Sequence, residues 1–579
     1  HELADAFQAT ITEILSSNTS FASPAVAVDA YNRTKSLNAE YIAMFRPASR
    51  PRWSGNLKKL EMESIVGGTT EQVVDALGVR AIDPVTGNIK DTATTFWTTL
   101  GVDGMEVDQG GAGERLIVRN PSTRVLLTNT GTQGALENFE TSNTSLTAGL
   151  FGTTDSNARS RYINWARGVD VRDEDGDSDN VDTRPWIMGD VMHSTPEAIN
   201  YGTPDGANSP DVRVVFGTNA GFLHMIESDS GDESWAFFPK ELTSIIPTLY
   251  NNDQADDHPY GIDGSPAVWI SDVDSDGNIV AGDGDNAYIF FGLRRGSGSA
   301  EGRDGGYYAL DITTPDNPSA MWQIGPNTLP ELGQSWSKPA PTFVPGHIGP
   351  VLIIGAGYDT RKDQLTVGTP DSVGRGIYIL DATDGSLVWS VTPGENSDTN
   401  LQEVGLQDSV PAQVTPLDTN GDHITDRVYF PDTGGNIWRV DLVDDDTNNW
   451  SIFKFAELGG DAVETDRRMM SQVDVAVTRY SGLTYDAVLI GTGNRAHPLD
   501  RDVVNRFYML RDERTQSVLH VPNDNHDTNP CASEVLNPDQ LPCAEVPPVI
   551  TEANLFDATD NVIQDGADSD DVATAPAAL

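Results

Sequence analysis

The sequence contains only two cysteines, Cys531 and Cys543, among its 579 residues. Neither sits in a Cys-x-x-Cys pattern, so no dithiol redox motif is predicted. They lie close together in a segment rich in Pro, Asn and Asp. Two thiols so near each other in a polar segment predict a disulfide formed in the periplasm or outside the cell. Free thiols in a reducing compartment are the alternative.

Basic residues are scarce as well. The chain has 37 Lys and Arg against 87 Asp and Glu, which gives a net charge of −50 at pH 7. This balance argues against nucleic acid as a partner, because phosphate binding depends on Lys and Arg. No apolar run approaches the ~20 residues needed to cross a bilayer, so no transmembrane segment is predicted. Such an acidic surface is typical of proteins from saline habitats, and an ordinary acidic secreted protein fits equally well.

Motifs of common catalytic sites are missing too. The sequence has no Gly-x-Ser-x-Gly elbow, no Gly-Lys-Ser/Thr phosphate loop and no His-Glu-x-x-His. His193 and His224 lack a recognisable set of catalytic partners and are predicted to be hydrogen-bonded structural residues. We therefore expect a protein that is not an enzyme.

Residues 418–426, which read Asp-Thr-Asn-Gly-Asp-His-Ile-Thr-Asp, have the spacing of a calcium-binding loop. Calcium takes six to eight oxygen ligands from a tightly wound backbone. Oxygen-bearing side chains occupy positions 1, 3, 5 and 9 of this loop, and position 7 can offer its backbone carbonyl. The predicted ligands are Asp418, Asn420, Asp422, Ile424 and Asp426.

This loop departs from an EF-hand loop in two places. Position 6 is His423 instead of Gly, and position 12 is Tyr429 instead of a bidentate Glu. Water or a distant group must therefore complete the ligand shell. No helical pattern flanks the loop, so it should join two strands. A polar hairpin rich in turn-forming residues is the alternative.

A second calcium loop is possible at residues 272–283. It has Gly277 at position 6 and an acid at position 12, as an EF-hand loop requires, but position 9 is Val280. A solvated acidic loop is the alternative. The candidate ligands are Asp272, Asp274, Asp276, Asn278 and Asp283.

A third run of alternate carboxylates spans residues 173–179. Several starting registers fit it equally well. This ambiguity favours a charged surface loop over a metal site.

From about residue 53 onward the chain consists of short apolar strands separated by Gly, Asn and Asp. An apolar strand that ends in Gly recurs at 212–217, 288–292, 351–355 and 487–491. A Ser/Pro-marked strand precedes it, a second apolar strand follows, and a third often carries Trp. Four short strands that recur about every 40–75 residues are typical of propeller blades. The sequence therefore predicts an all-β protein with a β-propeller fold of six or seven blades.

The block 426–442, which reads Asp-Arg-Val-Tyr-Phe-Pro-Asp-Thr-Gly-Gly-Asn-Ile-Trp-Arg-Val-Asp-Leu, resembles the signature of the PilC/PilY family of type IV pilus tip and biogenesis proteins. Further segments resemble the family in the same order, and together they cover most of residues 50–515. These segments are 188–196, 217–224, 263–266, 305–313 and 355–359. The resemblance favours seven irregular blades with long insertions.

The resemblance also implies a function. It implies a calcium-binding domain that acts in pilus assembly, retraction control and surface adhesion. Its location would be extracellular, at the pilus tip or the outer cell surface, after export through the periplasm. Minor pilins of the tip complex and a surface or host-cell ligand would be its partners.

The chain divides into three segments. Residues 1–50 are predicted to be a helical lead-in, because Leu3, Phe7 and Ile11 have the spacing of a short amphipathic helix. This segment would end an N-terminal module that precedes it, so the chain is interpreted as a processed form or a fragment. Residues 51–545 form the propeller, and residues 546–579 form an acidic low-complexity tail.

Two other classes of protein remain open. The stretch 379–389 is similar to the Trp-docking repeat of quinone-dependent alcohol dehydrogenases, which are also calcium-containing propellers. Their site needs a vicinal disulfide, and the two cysteines here are not adjacent. The stretch is therefore interpreted as packing between sheets, with Trp389 buried between them. A non-catalytic extracellular scaffold is the other alternative.

Overall fold

The computed structural model describes residues 21–28, 36–64, 71–130, 134–203, 209–254, 258–297, 306–365, 367–480, 482–515, 518–519, 543–544 and 548–559. Over these ranges the chain is an all-β protein with few helices, as the sequence predicts. Its α-helices are α1 (Gly111–Ile117), α2 (Ser156–Arg167) and α3 (Ile246–Asn251). None of the helices in the described ranges is both long enough and apolar enough to cross a membrane.

The first three sheets follow one another along the chain. Sheet 1 is an antiparallel meander, sheet 2 recruits two strands from far upstream, and sheet 3 is again a meander. In sheet 2 the order is β6-β5-β10-β9-β8-β7, and β5 lies parallel to β10. The strands of sheet 1 are β1 (Phe21–Val28), β2 (Ser36–Arg46), β3 (Ser54–Ser64) and β4 (Glu71–Val74). Those of sheet 2 are β5 (Leu126–Asn129), β6 (Leu136–Asn138), β7 (Glu197–Asn200), β8 (Val212–Gly217), β9 (Leu223–Glu227) and β10 (Glu233–Phe237). Those of sheet 3 are β11 (Ala267–Ser271), β12 (Asn286–Gly292), β13 (Tyr307–Asp311) and β14 (Ser319–Ile324).

The later sheets continue the same pattern. Sheets 4 and 5 are four-stranded meanders that each gain one short parallel strand, and sheet 6 has three antiparallel strands. Sheet 4 contains β15 (Ala340–Thr342), β16 (Val351–Gly355), β17 (Ile377–Asp381), β18 (Leu387–Thr392) and β19 (Asn400–Gln402). Sheet 5 contains β20 (Thr415–Leu417), β21 (Arg427–Pro431), β22 (Asn436–Asp441), β23 (Ser451–Glu457) and β29 (Ile550–Thr551). Sheet 6 contains β24 (Asp474–Tyr480), β25 (Leu483–Gly491) and β26 (Phe507–Asp512), and the pair β27 (Val518–Leu519) and β28 (Cys543–Ala544) is separate.

The repeated sequence pattern corresponds to successive strands of these sheets. The apolar runs that end in Gly form β8, β12, β16 and the second half of β25, and the runs after them form β9, β13, β17 and β26. The Ser/Pro-marked segments lead into β7, β11, β15 and β20. The predicted repeat of four short strands is therefore present in sheets 2 to 5.

Consecutive sheets pack face to face. Sheets 1 and 2, 2 and 3, 3 and 4, 4 and 5, and 5 and 6 each share one apolar cluster. Between sheets 3 and 4, for example, Phe290 and Tyr307 pack in one cluster with Ile354 and Leu380. Every residue of β16 and β22 is buried, because both faces of these strands are covered. Burial on both faces explains why β16 reads as a continuous apolar run.

The recurring tryptophans join one sheet to the next. Trp235 Nε1 on sheet 2 donates a hydrogen bond to Pro315 O in a turn of sheet 3, at 2.7 Å. Trp322 Nε1 on sheet 3 donates to Ala382 O in the matching turn of sheet 4, at 2.9 Å. Trp389 on sheet 4 packs edge-on against Trp450 of sheet 5, with ring centroids 5.3 Å apart. These contacts support the interpretation of residues 379–389 as packing between sheets.

Two predicted segments differ from the structure. The lead-in assigned to residues 1–50 contains β1 and β2, which pair in antiparallel register, instead of helix alone. The predicted amphipathic helix itself lies in residues 1–20, outside the described residues. At the other end, β29 pairs in parallel with β23, so part of the segment 546–579 adds to sheet 5. The pairing of β1 with β2 is local, whereas β29 pairs with residues 94 positions upstream, which local composition does not reveal.

Candidate metal centre

The loop 418–426 joins β20 to β21 and is wound as its ligand pattern predicts. The backbone N–H of Asp422 donates to Asn420 Oδ1, and that of Ile424 donates to Asp422 Oδ1, both at 2.8 Å. The N–H of His423 donates to Asp418 Oδ2 at 2.8 Å. His423 has a φ of 70°, the left-handed conformation that favours Gly, so the loop adopts this turn despite the substitution at position 6.

The acidic side chains of this loop converge. Asn420 Nδ2 lies 3.1 Å from Asp422 Oδ2 and 3.4 Å from Asp426 Oδ1. The other oxygen of Asp426 accepts hydrogen bonds from the backbone and the hydroxyl of Thr419, both at 2.7 Å. Desolvation opposes ionisation of Asp418, but the backbone N–H groups around it outweigh this effect and lower its pKa. Asp422 and Asp426 therefore approach each other around Asn420, but the carboxylates of Asp418, Asp422 and Asp426 do not all lie within 4.8 Å of one another, as those of the two other acidic runs do.

The loop 272–280 joins β11 to β12 and has the same winding. The N–H of Gly277, at position 6, donates to Asp272 Oδ2 at 2.9 Å. The N–H groups of positions 5 and 7 donate to Asp274 and Asp276, at 3.2 and 2.7 Å. Carboxylate oxygens of Asp272, Asp274 and Asp276 lie within 4.8 Å of one another. Asn278 Oδ1 accepts a hydrogen bond from the N–H of Thr203, which ties this loop to the segment that follows β7.

The acid that closes this second loop is Asp285, whereas the spacing predicted Asp283. Asp285 is 3% exposed, and its two oxygens accept the N–H groups of Val273 and Val280, at 2.8 and 2.9 Å. Asp283 lies in a short 3-10 turn and is exposed. The turn carries the chain past the position that an EF-hand count assigns, and the hydrogen bonds to the loop backbone go to Asp285 instead of Asp283. Which of the two acids is a ligand stays a prediction.

The structure selects a single register for the third acidic run. The N–H of Ser178 donates to Asp173 Oδ1 at 2.9 Å, which makes Asp173 position 1 and Ser178 position 6. The N–H groups of Asp177 and Asp179 donate to the side chains of Asp175 and Asp177, at 3.2 and 2.7 Å. Oxygens of Asp173, Asp175 and Asp177 lie within 4.8 Å of one another. This run is therefore wound like the two predicted loops.

In all three loops, a further Asp accepts a hydrogen bond from the backbone of the second loop residue. The N–H of that residue donates to Asp426 in the first loop, to Asp285 in the second and to Asp170 in the third, at 2.7, 2.8 and 2.8 Å. Only Asp426 could be identified from spacing. Asp285 and Asp170 lie on opposite sides of their loops in the sequence, so no single spacing finds both.

A buried ion network lies directly behind the first loop. Arg427 is 3% exposed and lies 2.9 Å from Asp486 of sheet 6. Arg439 is fully buried and pairs with Asp441 at 2.9 Å and with Asp512 at 2.5 Å. Both arginines belong to the 426–442 block, but their acidic partners on sheet 6 lie 59 and 73 positions away. Sequence patterning therefore missed Asp486 and Asp512.

Three of the other motif blocks, 188–196, 217–224 and 263–266, meet in a second polar cluster. Asp263, which is 1% exposed, bonds to His193 Nδ1 and Arg294 Nη1, each at 2.8 Å. Asn219 Nδ2 donates to Asp190 Oδ2 at 2.6 Å. Burial opposes ionisation of Asp263, but Arg294 and His193 outweigh it and hold the pKa of Asp263 well below its usual range. These groups join residues that are up to 101 positions apart in the sequence and fix the turns between strands.

The predicted structural role of His224 also agrees with its surroundings. His224 is 1% exposed, and its Nδ1 lies 2.8 Å from Glu233 Oε1. Glu233 in turn pairs with buried Arg124 at 2.8 Å. Of the two cysteines, Cys531 lies outside the described residues and only the backbone of Cys543 is described. The disulfide therefore stays a prediction.

Comparisons with known proteins give related sequences. No family model matches the chain. The type IV pilus biogenesis factor PilY1 of Pseudomonas aeruginosa strain UCBPP-PA14 is 27% identical over 488 residues, which cover 78% of this chain and 36% of that protein. A PilY1 homolog of Xylella fastidiosa strain Temecula1 is 25% identical over 329 residues, 50% of this chain and 20% of that protein. The chain thus spans about a third or less of the length of these curated relatives.

Among solved structures, the crystal structure of the Pseudomonas aeruginosa PilY1 C-terminal domain matches with a TM-score of 0.38 and 21% identity, over 53% of this chain and 58% of that one. The sequence relatives cover up to 78% of this chain. The chain's resemblance to the PilC/PilY proteins, which its motif blocks indicate, is confirmed by these PilY1 relatives.

Proposed function

We propose that this chain is the calcium-binding β-propeller domain of a type IV pilus protein, with roles in pilus assembly, retraction control and surface adhesion. The observation that carries the proposal is the similarity to PilY1 over 78% of the chain. Its partners would be minor pilins of the tip complex and a surface or host-cell ligand. It would act outside the cell, at the pilus tip or the outer surface, after passage through the periplasm.

The stacking of the sheets supports the propeller. Sheets 1 to 6 follow in chain order, and each shares a core with the next. Meander sheets stacked in this manner are the blades of a propeller, which buries its sheet faces only between neighbours. Seven blades would require one further blade, and β27 and β28 are strands that could contribute to it.

The first loop is the proposed calcium site, and it fits the ion by its donor set. Four side-chain oxygens and the Ile424 carbonyl are available, and Asn420 Nδ2 already lies between two of the carboxylates. The shell lacks a bidentate Glu, so we expect a dissociation constant of about 10⁻⁶ to 10⁻⁴ M. Binding would then follow calcium concentrations in the medium. The loop 272–280, closed by Asp285, is proposed as the second site.

Deletion and complementation in the native host test the pilus role. The deleted strain would receive the complete gene, or the gene with Asp422→Ala, and surface pili, twitching motility and attachment would be measured with and without calcium. We expect the deletion to lose surface pili and the wild-type gene to restore them. The Asp422→Ala gene should restore assembly but lose the response to calcium. Normal pili, motility and attachment in the deleted strain would reject the pilus role.

An absorbance spectrum of the purified protein tests the rival enzyme. A quinone-dependent dehydrogenase would carry a bound quinone with its own absorption band. A band of this kind would reject the non-enzymatic proposal.

A further inference from the structure

The acidic turn 170–182 lies directly after helix α2, which ends at Gly168 with a φ of 106°. Asp170 is completely buried. Its Oδ2 accepts the N–H of Glu174 at 2.8 Å. Its Oδ1 is also buried, and among the described residues it has no hydrogen-bond donor. A buried carboxylate oxygen without a donor is unfavourable unless a cation or a bound water satisfies it.

The first loop holds a comparable carboxylate. In that loop, one oxygen of Asp426 accepts the N–H of the second loop residue, and the other lies 3.4 Å from Asn420 Nδ2, toward the loop interior. Asp170 uses one oxygen in the same manner, on the N–H of the second residue of its own loop. The carboxylate of Asp170 therefore lies beside the backbone between Asp173 and Asp175.

A second buried oxygen lies beside it. The N–H of Asp170 donates to the carbonyl of Asp182 at 3.0 Å, and an antiparallel bridge joins Val169 to Thr183. Asp182 Oδ1 is buried and, within the described part of the chain, also lacks a donor. Asp182 therefore lies beside Asp170 at the closing end of the same acidic turn.

Three basic side chains lie near the turn. Arg52 pairs with Glu174 at 2.7 Å. Arg172 donates to the carbonyl of Asn251 and stacks on Tyr250. The guanidinium of Arg184 lies 4.0 Å from the ring centre of Trp165 and also interacts electrostatically with Glu174 and Asp170. Against these three cations, the turn carries seven carboxylates between residues 170 and 182.

We propose that this turn is a further calcium site, with Asp170, Asp173, Asp175, Asp177 and Asp182 as its ligands. Carboxylate oxygens from a wound backbone are the ligands that calcium prefers, and at least six are available here. The site is separate from the loops at 272 and 418. The proposal depends neither on those two sites nor on the pilus role.

The ion would also fix one wall of a cavity of about 600 Å³. Asp173 and Glu174 line this cavity together with Arg52, Trp165 and Arg184. Glu174 accepts hydrogen bonds from Arg52 and from Trp165 Nε1, the latter at 3.1 Å. Asp170 accepts a hydrogen bond from the N–H of Glu174. An ion bound by Asp170 would therefore keep Glu174, and with it this wall of the cavity, in place.

Calcium and terbium titrations of a background variant test the site. The background carries Asp276→Asn and Asp422→Asn, which disable the other two loops. We expect it to bind one calcium ion by calorimetry, with a dissociation constant of about 10⁻⁶ to 10⁻⁴ M. Terbium in the site should luminesce when tryptophan is excited, because Trp165 is hydrogen-bonded to Glu174, the residue between the proposed ligands Asp173 and Asp175. Adding Asp175→Asn, at an exposed position, should weaken the binding of calcium and of terbium at least tenfold. Adding Asp170→Asn should have the same effect.

The control is Asp398→Asn, an exposed acid on another sheet, which should change nothing. Far-UV circular dichroism shows whether each variant is folded, and Asp175→Asn carries the test if the buried Asp170→Asn variant does not fold. The proposal is overturned if the background binds no calcium. It is equally overturned if Asp175→Asn leaves the affinity unchanged. Neither failure counts against the 418 loop, because the background variant already lacks that site.

Discussion

Arg427 Nη1 lies 2.9 Å from Asp486 Oδ2, and both side chains are buried between sheets 5 and 6. Arg427 is the residue directly after the last proposed ligand of the first calcium loop. The strand that leaves the loop is therefore attached to the next sheet by a charge pair. The pair would either transmit a conformational change of the loop to sheet 6 or hold the strand in place against that change.

The first prediction concerns this pair. Asp486→Asn leaves Arg427 buried with a weaker partner, so we expect the free energy of unfolding to fall by about 3 to 5 kcal/mol. Urea denaturation measures the loss, and hydrogen exchange should increase in β25. Asp474→Asn on neighbouring β24 is exposed and should change stability by less than about 0.5 kcal/mol. Equal stability of the two variants would contradict a structural role for the pair.

The second prediction separates a local switch from a structural ion. Asp422→Ala should abolish calcium binding at 418–426 and leave the far-UV spectrum and most of the melting transition unchanged, because the sheets are stabilised by their apolar faces. Without calcium the carboxylates of the loop repel one another, so hydrogen exchange should increase in the loop and in β21. Normal binding, with the 272 loop also disabled, would show that the site is wrongly assigned. Unfolding of the whole domain would make the ion structural.

The third prediction is a pH dependence from Glu233. Burial opposes its ionisation, but Arg124 outweighs burial and holds the pKa of Glu233 well below its usual value of 4.5. The unfolded chain therefore binds a proton that the folded chain does not, and stability is lost as pH falls below about 4.5. Glu233→Gln should remove up to about 1.4 kcal/mol per pH unit from this slope. At pH 7 it should also cost about 3 to 5 kcal/mol, because Arg124 loses its charged partner.

Denaturation between pH 3 and pH 7 measures both effects. Glu61→Gln is the matched control, since Glu61 pairs with Lys59 at 3.2 Å but is one-third exposed. It should change stability by no more than about 1 kcal/mol. A Glu233→Gln variant with the wild-type slope would show that Glu233 does not carry the acid sensitivity.

The fourth prediction is the disulfide between Cys531 and Cys543. Intact mass measured without reductant should be lower by two hydrogens than after reduction. Closing such a short loop is worth roughly 3 kcal/mol in the chain-entropy model. Two free thiols in the exported protein would reject the bond and weaken the case for an exterior location.

The sequence predicted the repeating sheets well because their signal is local. Runs such as 351–355 are apolar, end in Gly and are covered on both faces, so pattern and burial agree. The loop 418–426 was also recognisable as a candidate calcium site, since its proposed ligands lie within nine residues. Asp285, Asp486 and Asp512 were not, because their roles depend on strands that come together only in the folded chain. Likewise, β1 and β2 are hydrogen-bonded to each other. The local periodicity of the sequence did not distinguish these strands from a helical lead-in.

The parallel pairing of β5 with β10 constrains how the chain can be made and cut. β5 ends at Asn129, and its partner begins at Glu233, more than a hundred residues later. At the usual rate of synthesis, β5 would wait roughly 5 to 20 seconds for that partner. During this time it is an unpaired apolar edge that other chains can join. A fragment that stops before Glu233 would keep that edge permanently, so expression boundaries for shorter versions belong after Phe237.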